Sequence, residues 1–211
     1  PGFCGMGLHF TLDGFRALYG GIATFMWMMS TVFSKEYFAH YRNRNRYYFF
    51  LLLTLGATMG VFLSADLYTL FIFFEMMSFT SYVWVAHDEK KESLRAAETY
   101  LAVAVAGGLV MLMGLLLLYH EVGTLDIDGL YESCRLIMLG TGTEYEAGRK
   151  TLYIAGTCLL FGFGAKAGAF PLHIWLPKAH PVAPAPASAL LSGILTKAGI
   201  FGILVVSCKM F

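Results

Sequence analysis

The sequence predicts an all-α fold, a polytopic transmembrane bundle of about six helices with one of them broken. Three observations lead there. Of 211 residues, 57% are hydrophobic and only 14% charged, with a mean hydropathy of +0.63, whereas a soluble domain carries about a quarter charged residues. Six stretches approach the roughly 20 apolar residues that span a bilayer core. Their apolar residues run all the way round, with no long polar stripe, as in a membrane span and unlike a surface helix.

The first helix runs from about Phe15 to Phe33 and is followed by Lys35, Arg42, Arg44 and Arg46. The second covers about Tyr47 to Ser64. The third covers about Leu67 to Ala86, with Asp66 placed to cap its N-terminus. Lys90, Lys91 and Arg95 precede the fourth, about Ala96 to Tyr119. An acidic, Gly-rich loop from His120 to Lys150 has room for a short hairpin or helix. The fifth helix spans about Thr151 to Lys178 and is broken near Gly168–Pro171, because proline removes a backbone donor. A simple proline kink is the alternative. The sixth covers about Ala187 to Cys208. Trp27, Trp84 and Trp175 read as interface anchors. Arg95 and Glu98 read as solvated boundary charges.

Lys and Arg set orientation. Eight (Lys35, Arg42, Arg44, Arg46, Lys90, Lys91, Arg95, Lys178) fall on one side and five (Arg16, Arg135, Arg149, Lys150, Lys209) on the other. The first side is then cytoplasmic, and the N-terminus faces out. The chain begins with Pro1 and reads as a piece of something longer.

Several functions are excluded. A net charge of +1 leaves no basic excess for nucleic acid. Cys4, Cys134, Cys158 and Cys208 are scattered, so no zinc or iron–sulfur spacing occurs. Gly162, Gly164 and Gly168 follow no strand and are not a dinucleotide fingerprint. No cofactor is expected, and redox chemistry in this chain has no site. The GxxxG pairs Gly56/Gly60 and Gly164/Gly168 allow close helix approach.

The chemistry is expected at charges near mid-membrane, which cost at least a few kcal/mol each. Glu75 stands in Phe71-Ile72-Phe73-Phe74-Glu75-Met76-Met77, Lys166 in Gly164-Ala165-Lys166-Ala167-Gly168, and Lys197 in Thr196-Lys197-Ala198-Gly199. Their similar depth suggests one buried polar line. A lysine that gains or loses a neighbouring carboxylate changes its proton affinity strongly, which makes it a switchable carrier. The alternative is a static ion pair that fixes packing. His173 and His180 flank the end of the broken helix, either as proton relays or as backbone-bonded interfacial residues. A metal site there is disfavoured, since no third ligand is near.

The segments Phe74-Glu75-Met76-Met77-Ser78-Phe79-Thr80-Ser81-Tyr82 and Lys166-Ala-Gly-Ala-Phe-Pro171-Leu172-His173-Ile-Trp175-Leu176-Pro177-Lys-Ala179-His180, with the run through Pro184, Ser188, Gly193 and Lys197 to Gly199, carry a resemblance. They resemble the antiporter-like subunits of respiratory complex I, the large subunits of multi-subunit sodium/proton antiporters and the membrane subunits of energy-converting hydrogenases. The likeness covers the chain from Leu12-Asp13-Gly14 onward. It implies a fold of about fourteen helices with two inverted five-helix repeats, of which this chain supplies one repeat and the helix before it. It implies Glu75 as the membrane-embedded acid, Lys166 as its pairing lysine and Lys197 as the next carrier toward the protein's centre. His173 and His180 match motif positions. It implies other membrane subunits as partners in a prokaryotic cytoplasmic membrane, with protons, or sodium ions and protons, as cargo. Without a second repeat, the chain would offer a half-channel from the cytoplasmic side. A scaffold that only holds partner subunits is the competing function.

Overall fold

The computed structural model describes residues 7–41 and 43–211, apart from the side chain of Glu144. Cys4 and Arg42 lie outside the described residues. Among the described residues the fold is all-α, with two isolated bridges, Phe10 to Ser64 and Asp66 to Asp126. The long helices are α1 (Gly14–Tyr37), α2 (Arg44–Phe62), α3 (Leu67–Val85), α4 (Lys91–Val122) and α6 (Thr143–Ala167). A final run joins α8 (Ala185–Leu190), a π turn (Leu191–Leu195) and α9 (Thr196–Lys209). Four helical stretches are long and apolar enough to cross a membrane: Leu67–Val85, Lys91–Val122, Tyr145–Val182 and Ala185–Lys209. With 24 and 19 residues, α1 and α2 reach about 36 and 28 Å at 1.5 Å per residue, and they pack beside the others.

The helix starts are written in the sequence. Asp13 caps α1 by accepting the Arg16 amide, and Asp66 caps α3 by accepting the Thr69 amide at 2.6 Å. The Arg16 amide, and then its guanidinium, hold the Asp13 carboxyl below the usual carboxylate range. Arg16 is itself buried. It pairs with Asp13 and donates from Nε to the Ser64 carbonyl at 3.1 Å, tying the start of α1 to the end of α2. The acidic loop contains α5 (Ile127–Leu139), whose Ile127, Leu130 and Cys134 are buried. On the opposite end, Arg46 bonds Glu89 and the His87 carbonyl at 2.7 Å, closing the α3–α4 turn. Burial of His87, reinforced by the nearby Arg46 charge, pushes its imidazole below the ordinary value, against smaller opposite pulls from Asp88 and Glu89.

The broken helix is a composite. Gly168 ends α6 in the left-handed region at φ 78°, where a Cβ would be strained. The chain then passes the cis Phe170–Pro171 bond into a 3₁₀ turn (Leu172–Trp175) and α7 (Leu176–Val182).

One expectation is met in part and another needs correction. The GxxxG pairs make close approaches at one glycine each, Gly60 against the Phe73 ring and Gly168 against the Leu176 side chain, whereas a Cβ at Gly56 would meet nothing and one at Gly164 would sit in ordinary contact. A further close approach lies outside both pairs, where α4 packs along α6 with Gly162 backed against the Gly107 carbonyl, and a Cβ would stand only 2.8 Å away. The tryptophans are core residues and not interface anchors, since Trp27, Trp84 and Trp175 are at most 2% exposed. Trp27 Nε1 donates to the Leu51 carbonyl at 3.2 Å, and its ring lies 5.8 Å from that of Trp84. Burying the indole against another helix removes far more apolar area than a boundary position would.

Candidate functional site

Lys166 lies in the last turn of α6 and is 3% exposed. Its Nζ donates to Ser78 Oγ at 2.9 Å and to Tyr100 Oη at 2.5 Å. Tyr100 Oη is in turn 2.6 Å from Ser81 Oγ. Three helices therefore meet at one ammonium group: α3 through Ser78 and Ser81, α4 through Tyr100, and α6 through Lys166. Both serines also donate back to their own helix, to the Phe74 carbonyl at 3.0 Å and the Met77 carbonyl at 2.6 Å. That bond spends each hydroxyl proton and leaves the oxygen lone pairs free to accept. Hydrogen bonds to a charged group contribute about 1.5–3 kcal/mol each, which offsets part of the several kcal/mol that burying an ion costs.

The broken helix builds the floor of this site. After the break the chain folds back so that Trp175 Nε1 donates to the Ala165 carbonyl at 2.8 Å. The Trp175 ring then lies 4.9 Å from that of Tyr100. Without the interruption at Gly168–Pro171, Trp175 would lie well over two turns further along α6 and could not reach residue 165.

Glu75 lies three residues before Ser78, on the same face of α3. Its carboxylate rests against α4 at Gly108, where an added Cβ would collide with Oε1. Only glycine leaves room for the carboxylate there. Glu75 Oε1 is buried and has no hydrogen-bond partner among the described residues. None of the ion pairs among them joins Glu75 to Lys166. Ser78, one turn along α3 from Glu75, carries the contact from that helix to Lys166.

Lys197 is not in this buried line. Its side chain is exposed, and Nζ donates to the Ser192 carbonyl at 2.9 Å. The reason is the π turn immediately before it. One extra residue per turn shifts the register of everything that follows by about 100°, and Lys197 turns out of the interior onto the outer surface of the last helical run. His173 is also exposed, with its ring stacked on Phe170 at 5.7 Å between centroids. His180 is half-buried; its Nδ1 shares a hydrogen with Ser188 Oγ, and Ser188 Oγ also reaches the His180 carbonyl at 3.0 Å. His180 thus ties α7 to α8. The two histidines have separate partners, and no group of three or more His, Cys, Asp or Glu among the described residues is placed to hold a metal.

Tyr100, Ser78, Ser81 and Gly108 escaped the sequence reading. A signal existed for two of them. Ser78 follows Glu75 at helical spacing, and Tyr100 is a phenol that opens the apolar run 101–110 directly after Glu98 and Thr99.

The site can be set against known proteins. Residues 64–211 match the family described as NADH:quinone oxidoreductase/Mrp antiporter, transmembrane. The chain is 32% identical over 205 residues to hydrogenase-4 component B of Escherichia coli (strain K12), covering 96% of this chain and 29% of that protein. It is 34% identical over 202 residues to one of the Na(+)/H(+) antiporter subunits of Alkalihalophilus pseudofirmus, covering 93% of this chain and 24% of the relative. Among solved structures, it superposes on a chain of the membrane-bound sulfane sulfur reductase, an archaeal respiratory membrane complex, with a TM-score of 0.81 and 26% identity over 98% of this chain and 31% of that one. A chain of the Mrp complex from Dietzia sp. DQ12-45-1b gives 0.80 and 25% identity, over 98% of this chain and 37% of that one. The chain therefore spans well under half the length of these relatives.

Proposed function

Because the chain belongs to the NADH:quinone oxidoreductase/Mrp antiporter transmembrane family, we propose that it moves protons across a membrane as part of one subunit in a larger complex of the quinone reductase, hydrogenase or antiporter kind. The observation that carries this reading is Lys166, a lysine sealed in a membrane bundle whose hydrogen bonds among the described residues go to hydroxyls. A lysine kept for packing would face its carboxylate directly. Here Glu75 stands one turn along α3 from Ser78 and forms no ion pair with Lys166, so the charge on one biases the other while both stay free to gain or lose a proton.

In this reading Glu75 is the membrane acid, Lys166 the central carrier and the Ser78–Tyr100–Ser81 hydroxyls the path between donor and acceptor. Hydroxyls both give and accept, so a proton can pass along them by exchange of bonds. Lys197 is the carrier that hands protons on, from a face that a further part of the protein or a partner subunit covers. His180, held by Ser188, lies on the route to the cytoplasmic side, and His173 near the surface of that route. Sodium ions are the alternative cargo. Relatives named as antiporter subunits and as parts of respiratory complexes support other membrane subunits as partners. The Lys and Arg count supports an orientation with the N-terminal end of α1 outside, and bacterial and archaeal relatives support a prokaryotic cytoplasmic membrane.

Lys166→Ala in the intact complex is expected to abolish ion pumping while assembly persists. Pumping at the wild-type rate would overturn the proposal.

A further inference from the structure

Where α1 ends and α2 begins, the bundle leaves an open cavity of about 580 Å³ lined by Thr31, Val32, Lys35, Phe38, Arg44 and Tyr48. Its charge is one-sided. Lys35 and Arg44 are both exposed, and neither has an acidic partner among the described residues. The acids of the neighbouring α3–α4 turn are already engaged, Glu89 by Arg46 and Asp88 by Lys90. Glu36 follows Lys35 in the chain but does not line the cavity. The positive end of the α2 dipole adds to this field, since α2 begins at Arg44 and Asn43 supplies no side-chain cap.

The remaining walls, from Thr31, Val32, Phe38 and Tyr48, are mostly apolar. Val32 is 66% exposed, and Phe38 closes the back of the cavity. Further along the same two helices, Phe25 and Met28 of α1 and Phe49 and Leu52 of α2 are also exposed. They form hydrocarbon-like surface leading away from the two cations. A cavity that is cationic where two membrane helices end and apolar along its walls matches a molecule with a phosphate head and aliphatic tails.

We propose that this cavity binds the headgroup of an anionic phospholipid, with its phosphate between Lys35 and Arg44 and an acyl chain along Val32 and the adjoining surface of α1 and α2. Basic pockets beside membrane helices recognise such headgroups electrostatically. The apolar walls favour a lipid over free phosphate. A lipid fixed there would brace the α1–α2 corner at the end of the bundle opposite Asp13 and Asp66.

Native mass spectrometry of the detergent-purified protein, titrated with phosphatidylglycerol and separately with phosphatidylcholine, tests the site. Wild type is expected to retain phosphatidylglycerol preferentially. The Lys35→Gln/Arg44→Gln double variant should bind it about 25-fold more weakly, from two basic groups each contributing roughly fivefold. Lys90→Gln, which removes a cation already paired with Asp88, should bind as wild type does. Equal retention of the two lipids, or an unaffected double variant, would overturn the proposal, as would displacement of the lipid by excess inorganic phosphate. A photoreactive residue in place of Val32 should crosslink to lipid in membranes; a crosslink to protein alone would show that a polypeptide fills the cavity and would also overturn it.

Discussion

Lys166 Nζ and Tyr100 Oη lie 2.5 Å apart, and this contact joins the broken helix to α4 at the most buried charge of the bundle. Tyr100 is held from two further sides, by Ser81 at 2.6 Å and by the Trp175 ring. The phenol fixes where the ammonium group sits, and under the proposed function it is the group through which a proton leaves toward Ser81.

Tyr100→Phe keeps the ring and its packing but removes the oxygen. Lys166 then retains only Ser78 among these partners. Because a hydrogen bond to a buried charge contributes about 1.5–3 kcal/mol, the variant is expected to unfold with a stability lower by roughly that amount, measured by thermal or denaturant unfolding in detergent. Ion pumping by the assembled complex should fall more than expression does.

Gly108→Ala places a methyl group where the Glu75 carboxylate lies. Overpacking of this kind costs about 1–3 kcal/mol. Shortening the acid in Gly108→Ala/Glu75→Asp should recover most of that stability, because one methylene is withdrawn from the same space. A double variant no more stable than Gly108→Ala would show that the glycine answers to something other than Glu75.

The α3–α4 turn should confer a pH dependence. His87 has a folded-state value pushed below its ordinary 6.5 by burial, then by Arg46. The unfolded chain therefore takes up a proton more readily than the folded one. Stability contributed by the neutral imidazole is complete above about 6.5 and declines as pH falls below it toward the depressed folded value. Wild type is expected to lose more stability between neutral and mildly acidic pH than His87→Gln, compared by unfolding midpoints across that range. Identical pH slopes would remove His87 as the cause.

Lys197 on an exposed face of a membrane-spanning run gives a contact prediction. A photoreactive residue in place of Lys197 should crosslink to protein in the whole complex, because a further part of the protein or a partner subunit covers that face. Crosslinks to lipid alone would mean that Lys197 faces the bilayer and stays outside the proton route.

The sequence made depth along the chain readable, and far less of what depends on rotation about a helix axis. Glu75 and Lys166 stood out because a charge inside an apolar run is costly wherever it points. Asp66 announced its cap, and Pro171 with Gly168 announced the break, since these residues act on the backbone locally. Trp27, Trp84 and Trp175 gave no such information, because an indole in an apolar run looks the same whether it turns inward or toward the boundary. Lys197 shows the same limit more sharply. Its depth was legible, but the π turn before it, with Leu191, Ile194 and Leu195 buried, is marked by no residue in Leu-Ser-Gly-Ile-Leu. Tyr100 and Gly108 belong to the site only through contacts between α3, α4 and α6, which no local pattern encodes.

The most direct test of the central claim is ion pumping by the assembled complex in sealed vesicles, followed with a pH-sensitive dye, for Glu75→Gln, Lys166→Met and the two combined. If Glu75 and Lys166 are proton carriers, each single variant should lose pumping and the combination should not restore it, with assembly intact in all three. If the doubly substituted, uncharged variant assembles and pumps as wild type does, the two charges serve packing alone and the proton-carrier reading is contradicted.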